Sequence, residues 1–128
     1  MIPSDLSELF GRAKTASENA YSPYSNYKVG AAIKCKNGKV YTGCNIENAS
    51  FGGSICAERV AICKAVSENE RDFETIAVYV QSEQVFSPCG ICRQFIAEFS
   101  KDLVVIYGNE KEIIISNIKD LLPDSFKL

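Results

Sequence analysis

Two short segments concentrate groups that can bind a metal or move a proton: Cys56-Ala57-Glu58-Arg59 and Pro88-Cys89-Gly90-Ile91-Cys92. Cys89 and Cys92 are spaced i to i+3, so in a helix they project from one face and can chelate a single ion. Both segments open helical patterns, and free N–H groups at a helix N-terminus favour thiolate over thiol. If both helices follow strands of one sheet, their N-termini converge at its edge, where α/β proteins bind ligands. Three sulfurs from two helices would then meet. Three protein ligands leave one tetrahedral position for water, which distinguishes a catalytic zinc site from a closed structural one. Glu58, two residues past the first thiol, is placed to face that water as a proton carrier rather than to ligate the ion.

Formal charge tests this arrangement. Zinc with three thiolates sums to about -1, which by itself makes bound water a poor acid; two helix N-termini return roughly half a charge each. Arg59, next to Glu58, can add one more by hydrogen-bonding a thiolate sulfur. The sum returns to about +1, so Arg59 is expected to tune the water without touching substrate. A lone Pro-Cys-x-x-Cys fits a redox dithiol as well as a metal site, and the upstream Cys-Ala-Glu is what favours metal. Cys35 and Cys44 fall in strand-like segments and are expected to pack there, and Cys63, about 10 Å farther along the helix from Cys56, reads as a small core residue.

The composition narrows the chemistry. The 128 residues contain six cysteines and no histidine, which removes Ser-His-Asp and Cys-His mechanisms and every His-ligated metal. Hydrophobic residues make up 46% and charged residues 23%, the profile of one globular domain over 1–128 with no linker or repeat. Fourteen Lys and Arg against sixteen Asp and Glu give a net charge of -2, so there is no electrostatic footprint for a nucleic-acid polymer. Leu103 to Tyr107 is far too short for a membrane span, and the opening residues lack the pattern of a signal peptide. These features together predict a cytoplasmic protein with reduced thiols.

The elements that must position the two segments follow from periodicity. Ser4 or Asp5 can cap a first helix to about Ala20, with Leu6, Leu9, Phe10 and Ala13 on one face, broken by the prolyl segment Tyr21 to Ser25. Lys28 to Lys36 and Lys39 to Asn45 read as strands joined at Asn37-Gly38. An irregular stretch, Ile46 to Ser54, precedes a helix over Ile55 to Glu68. Thr75 to Val80 and Leu103 to Tyr107 are continuous apolar runs, as in strands covered on both faces, and a helix over Cys89 to Ser100 separates them. That crossover makes the two strands parallel. Glu112 to Ser116 must return antiparallel as an edge strand, before a last helix over Ile118 to Leu122. The result is a three-layer α/β/α domain, a mixed five-stranded sheet with helices on both faces.

The pattern Cys-Ala-Glu…Pro-Cys-Gly-Ile-Cys resembles the zinc nucleobase-deaminase signature in its three-cysteine form. The likeness extends to Ala20–Ala32 (AYSPYSNYKVGAA), Thr42–Asn48 (TGCNIEN) and the Leu121-Leu122-Pro123…Phe126 ending, and so covers almost the entire chain. These segments are similar to those of the homotetrameric free-nucleoside cytidine deaminases. The resemblance implies that Cys56, Cys89 and Cys92 hold one zinc ion per chain and that water activated there attacks C4 of cytosine. Glu58 would carry a proton from water to N3 and later to the departing amine. Asn45 and Glu47 match ribose-binding residues, Tyr27 an aromatic beside the pyrimidine, and the Ala57 N–H a donor to the base carbonyl. Phe126 matches an aromatic that completes a neighbouring subunit's site in a homotetramer. Tyr27 stands where relatives often carry Phe, and Phe51 where they often carry Tyr.

The expected activity is hydrolytic deamination of free cytidine and deoxycytidine, a step of pyrimidine salvage. A carboxylate at Glu47, expected to be buried against the sugar, would repel a phosphate, so nucleosides are favoured over nucleotides. Three other readings compete: a blasticidin-type deaminase, a thiol oxidoreductase working through Cys89 and Cys92, and a non-catalytic zinc module recruiting Cys35 or Cys44 as fourth ligand. The segments Tyr21 to Ser25 and Asn45 to Asn48 favour a ribose over the antibiotic, and metal analysis separates the oxidoreductase.

Overall fold

The computed structural model describes residues 2–128. Its helices are α1 (Ser4–Ser17), α2 (Ala57–Ser67), α3 (Gly90–Ala97) and α4 (Ile118–Leu121). The strands are β1 (Val29–Cys35), β2 (Val40–Cys44), β3 (Phe73–Val80), β4 (Val104–Gly108) and β5 (Ile113–Asn117). They form one sheet in the order β2-β1-β3-β4-β5, in which β3 and β4 are parallel and every other pair is antiparallel. The mixed sheet and the antiparallel edge strand are those expected.

Strand alternation sends successive side chains to opposite faces. Ala32, Ala77, Tyr79 and Ile106 meet Leu9, Phe10 and Ala13 of α1 on one face. Ala31, Ile33, Ile76, Val78 and Val105 meet Ala57, Ala61, Ile62 and Ala65 of α2, with Ile96 and Ile118, on the other. The central strands are therefore apolar without interruption, because both faces are covered.

The boundaries differ from expectation where local hydrogen bonds intervene. α1 has Pro3 as its N-cap, with no side-chain cap from Ser4 or Asp5, and it ends at Ser17 rather than Ala20. Tyr21 and Ile55 both bridge to Ile46, which draws the prolyl loop beside the end of β2 and delays α2 until Ala57. Cys56 and Cys89 are consequently the N-caps of α2 and α3, in extended conformation just before the first turn rather than within it. Cys63 is exposed, not in the core. The packed stripe of α2 runs through Ala57, Ala61, Ile62 and Ala65, and residue 63 lies outside that arc.

The hairpin turns at Asn37-Gly38, where Gly38 takes φ of +93° and Asn37 accepts the Lys39 N–H at 3.0 Å. Gly43 performs a different task. A Cβ there would lie 2.5 Å from the Ala61 nitrogen and 2.7 Å from the Ala57 oxygen, so only glycine lets α2 sit directly on β2. Gly43→Ala should cost about 1–3 kcal/mol, because backbone rather than a flexible side chain must move. A denaturant midpoint unchanged from wild type would contradict this close approach.

Candidate metal and nucleoside site

The sheet brings the starts of α2 and α3 together. The sulfurs of Cys56, Cys89 and Cys92 all lie within 4.8 Å of one another, with Cys56 and Cys89 3.8 Å apart. Zn–S bonds of about 2.3 Å in tetrahedral geometry require S···S separations of about 3.8 Å. All three thiols are free, and among the described residues no fourth cysteine or carboxylate joins the group. The donor set fits a soft tetrahedral ion with one position open to solvent. Cys35 is buried in the core, as expected, and Cys44 lies half-buried in β2; both are outside the sulfur cluster.

Arg59 directs Nη2 at the Cys56 sulfur, 3.5 Å away. Hydrogen bonding from Cys92, then from Arg59 and Cys89, pulls the Cys56 thiol well below the ordinary thiol range. Cys92, the donor in that pair and fully buried, is pushed up in turn. Two uncapped helix N-termini add their partial positive charge at the same place.

Glu58, only 4% exposed, sits in the first turn of α2. Burial, reinforced by the charge of Cys56, raises its carboxyl to about 7. That value suits a group that must both accept and release a proton near neutrality. Glu58, Cys56, Ala57 and Asn45 line one cavity of about 150 Å³, together with Phe86 and Ser87. The Ala57 N–H, first of its helix, has no intrahelical acceptor and is available to a ligand.

A second cavity of about 360 Å³ is lined by Tyr24, Ser25, Glu47, Phe51 and Ser54. Glu47 accepts the N–H groups of Tyr24 at 2.9 Å and Ser25 at 3.1 Å on one oxygen, and the Ser25 hydroxyl on the other. These bonds, the Ser25 hydroxyl first, hold its carboxyl below the usual range and keep it ionised. A carboxylate offers about four acceptor sites, so one remains for an outside donor. Glu47 is half-exposed rather than buried as expected, because it lines this cavity instead of packing into the core. Asn45 accepts the Val29 N–H at 2.9 Å and donates to the Tyr27 carbonyl at 2.8 Å, leaving one N–H free.

The aromatic residues divide. Tyr27 packs edge-on to Phe86 at 5.3 Å between ring centroids, and so reaches the rim of the metal cavity through a residue the motifs did not indicate. Phe86 lies two positions before Pro88, and that nearness was the available signal. Phe51, 74% exposed, stacks edge-on with Tyr24 at 5.7 Å beside Glu47. Phe126, 67% exposed, lines neither cavity. No described helix is long and apolar enough to cross a membrane.

The family model for the cytidine and deoxycytidylate deaminase zinc-binding region matches residues 3–108. A cytidine deaminase of Sporosarcina psychrophila is 43% identical over 124 residues, covering 95% of this chain and 91% of its own. A crystal structure of cytidine deaminase from Burkholderia pseudomallei superposes with a TM-score of 0.90 at 42% identity, over 98% of this chain and 100% of that one. A blasticidin-S deaminase of Bacillus cereus stands farther off, 33% identical over 77% of this chain and 76% of its own.

Proposed function

The chain belongs to the cytidine and deoxycytidylate deaminase family, and we propose that it converts free cytidine and deoxycytidine, with water, to uridine and deoxyuridine plus ammonia. The observation that carries this reading is a cluster of three sulfurs, one of which, Cys56, lines a cavity together with the buried Glu58 and the free Ala57 N–H.

Cys56, Cys89 and Cys92 would hold the zinc ion, which would supply the Lewis acidity that makes water a usable nucleophile near neutral pH. Glu58 takes one proton from water and delivers it to N3 of the pyrimidine, then takes the remaining proton from the hydroxyl formed on C4 and passes it to the amine, which leaves as ammonia and leaves the C4 carbonyl behind. Its raised pKa lets one carboxyl perform both kinds of transfer at the same pH. Ala57 donates its N–H to the base carbonyl, and Tyr27 with Phe86 walls the ring. Asn45 and Glu47 take the ribose hydroxyls through the N–H and the acceptor site left to each.

Phe126 completes the site of a neighbouring copy in a homotetramer. Its exposure supports this reading, as does the apolar groove of about 600 Å³ along α3, lined by Ile91, Phe95 and Phe99. The thiol-oxidoreductase reading has no use for Cys56 or Glu58, and the non-catalytic module lacks its fourth ligand among the described residues.

The test is the fall in ultraviolet absorbance as cytidine becomes uridine, with zinc measured on the same sample. About one zinc per chain and turnover of cytidine are expected, with kcat/KM for cytidine monophosphate at least about tenfold lower because Glu47 stays ionised beside the sugar. No turnover of either nucleoside by zinc-bound protein would overturn the function; equal turnover of the monophosphate would overturn only the role of Glu47.

Arg59 makes a separate prediction. Arg59→Gln removes a positive charge from beside the sulfurs, which makes the water less acidic and the thiolates harder to form. The rise of kcat with pH should move to higher pH, and zinc should be lost more readily to a chelator. If neither changes, Arg59 serves only to pack α2.

A further inference from the structure

Arg93 follows the last of the three sulfurs directly and takes part in no step above. Its guanidinium reaches three oxygens on two separate segments. Nε donates to the Pro88 carbonyl at 2.7 Å, Nη2 to the Ser87 hydroxyl at 2.6 Å, and Nη1 to the Leu121 carbonyl at 2.8 Å. The first two bonds hold Ser87 and Pro88, the residues immediately before the extended Cys89, so they set the direction in which that thiol leaves the chain. The third caps the end of α4, a four-residue helix whose last carbonyls have no partner of their own. Gln94 extends the same seam, donating Nε2 to the Phe126 carbonyl at 2.9 Å.

Charge alone does not account for Arg93. It is half-buried, and among the described residues no carboxylate pairs with it. A cation in the first turn of a helix also opposes the macrodipole. What the position uses is the planar fork, which fixes several acceptors at once and which a lysine cannot reproduce.

We propose that Arg93 is a positioning residue that makes the geometry of the Cys89–Cys92 turn depend on docking of the C-terminal segment carrying Phe126. Zinc retention and the order of that segment then form one coupled equilibrium, and coupling of this kind acts equally in both directions. The proposal rests on the reading that Cys89 and Cys92 hold zinc.

Full-length wild type, Arg93→Lys, Arg93→Gln and Ser87→Ala are loaded with zinc and given excess chelator well below their unfolding temperatures. Amide exchange is followed with and without zinc over α4, at the start of the C-terminal segment, where the Ile118 and Leu122 N–H groups are hydrogen-bonded. Loss of a partner that orients metal ligands weakens metal binding about 10–100-fold, so zinc transfer should be at least about tenfold faster in both Arg93 variants. Ser87→Ala, which deletes one acceptor of three, should show a smaller acceleration of about twofold or more. Zinc should slow exchange of the C-terminal segment in wild type and leave it unchanged in the Arg93 variants. A merely structural arginine would lower the melting temperature without removing that zinc dependence.

Transfer within about twofold of wild type in Arg93→Lys, or zinc-dependent protection that survives the substitution, overturns the proposal. If Arg93→Lys does not fold, Ser87→Ala decides, and transfer unchanged from wild type counts against it. A wild type that takes up no zinc overturns the proposal together with the reading beneath it, whereas zinc-bound wild type with unaltered variants overturns the proposal alone.

Discussion

Glu58→Gln should hold about one zinc per chain and turn cytidine over at least about a thousandfold more slowly than wild type. A single positioned proton transfer contributes about 10²–10⁴-fold, and in the proposed reaction one carboxyl serves both the water and the leaving amine, so the loss belongs at the upper end. Glutamine keeps the shape and can accept a hydrogen bond, but it cannot carry the proton. The substitution also has a signature in stability, measured on metal-free protein. The Glu58 carboxyl ionises at about 7 in the fold against 4.5 ordinarily, so folding is disfavoured only where the unfolded chain would be ionised. That penalty is absent below pH 4.5, grows as pH rises toward 7 and is full above it. The melting temperature of the variant should therefore exceed that of wild type more at pH 8 than at pH 4. Equal turnover by the two proteins would remove Glu58 from the chemistry; an equal pH dependence of melting would remove only its buried, perturbed state.

Cys92→Ser should abolish both zinc binding and deamination, whereas Cys63→Ser should change neither. Cys92 is fully buried, lies within 4.8 Å of the other two sulfurs and donates to Cys56, so its loss takes away a ligand and leaves two. Substitution of a residue that merely orients a metal ligand costs about 10–100-fold, and a ligand itself should cost more, at least about a thousandfold in affinity. Cys63 is exposed on α2 and touches none of this. The two apolar clusters on either face of the sheet hold the fold without the metal, so the far-ultraviolet circular dichroism of Cys92→Ser should resemble that of wild type. A Cys92→Ser protein retaining zinc and activity would contradict the three-sulfur site, and so would a Cys63→Ser protein that loses them.

Much of this was legible in the chain because it is local. The two apolar runs around the Cys89–Cys92 segment predict a parallel pair joined by a helix, and β3 and β4 pair in that way. The i to i+3 spacing of Cys89 and Cys92 places two sulfurs on one helical face whatever the rest of the molecule does. Less legible were positions set by contacts distant in sequence. The bridges of Ile46 to Tyr21 and Ile55 moved the start of α2 so that Cys56 became its cap, a shift of two residues that periodicity does not report. The exposure of Cys63 depends on which arc of α2 meets the sheet, and the partial exposure of Glu47 on the cavity it shares with Tyr24 and Phe51.

The donor chemistry is written in the residue types alone: three thiols, an adjacent acid, an adjacent arginine and no histidine to compete with them. Their order along the chain also dictates which helices must begin with them. Packing is what closes the 33 residues between Cys56 and Cys89 to 3.8 Å, buries Glu58, and joins the Cys89–Cys92 turn to the end of α4 through Arg93. The physical reason is that residue type and spacing report short-range preferences of the backbone. Distance, burial and the pKa shifts that follow from burial belong to the packed sheet, where chain segments far apart in sequence share one low-dielectric interior.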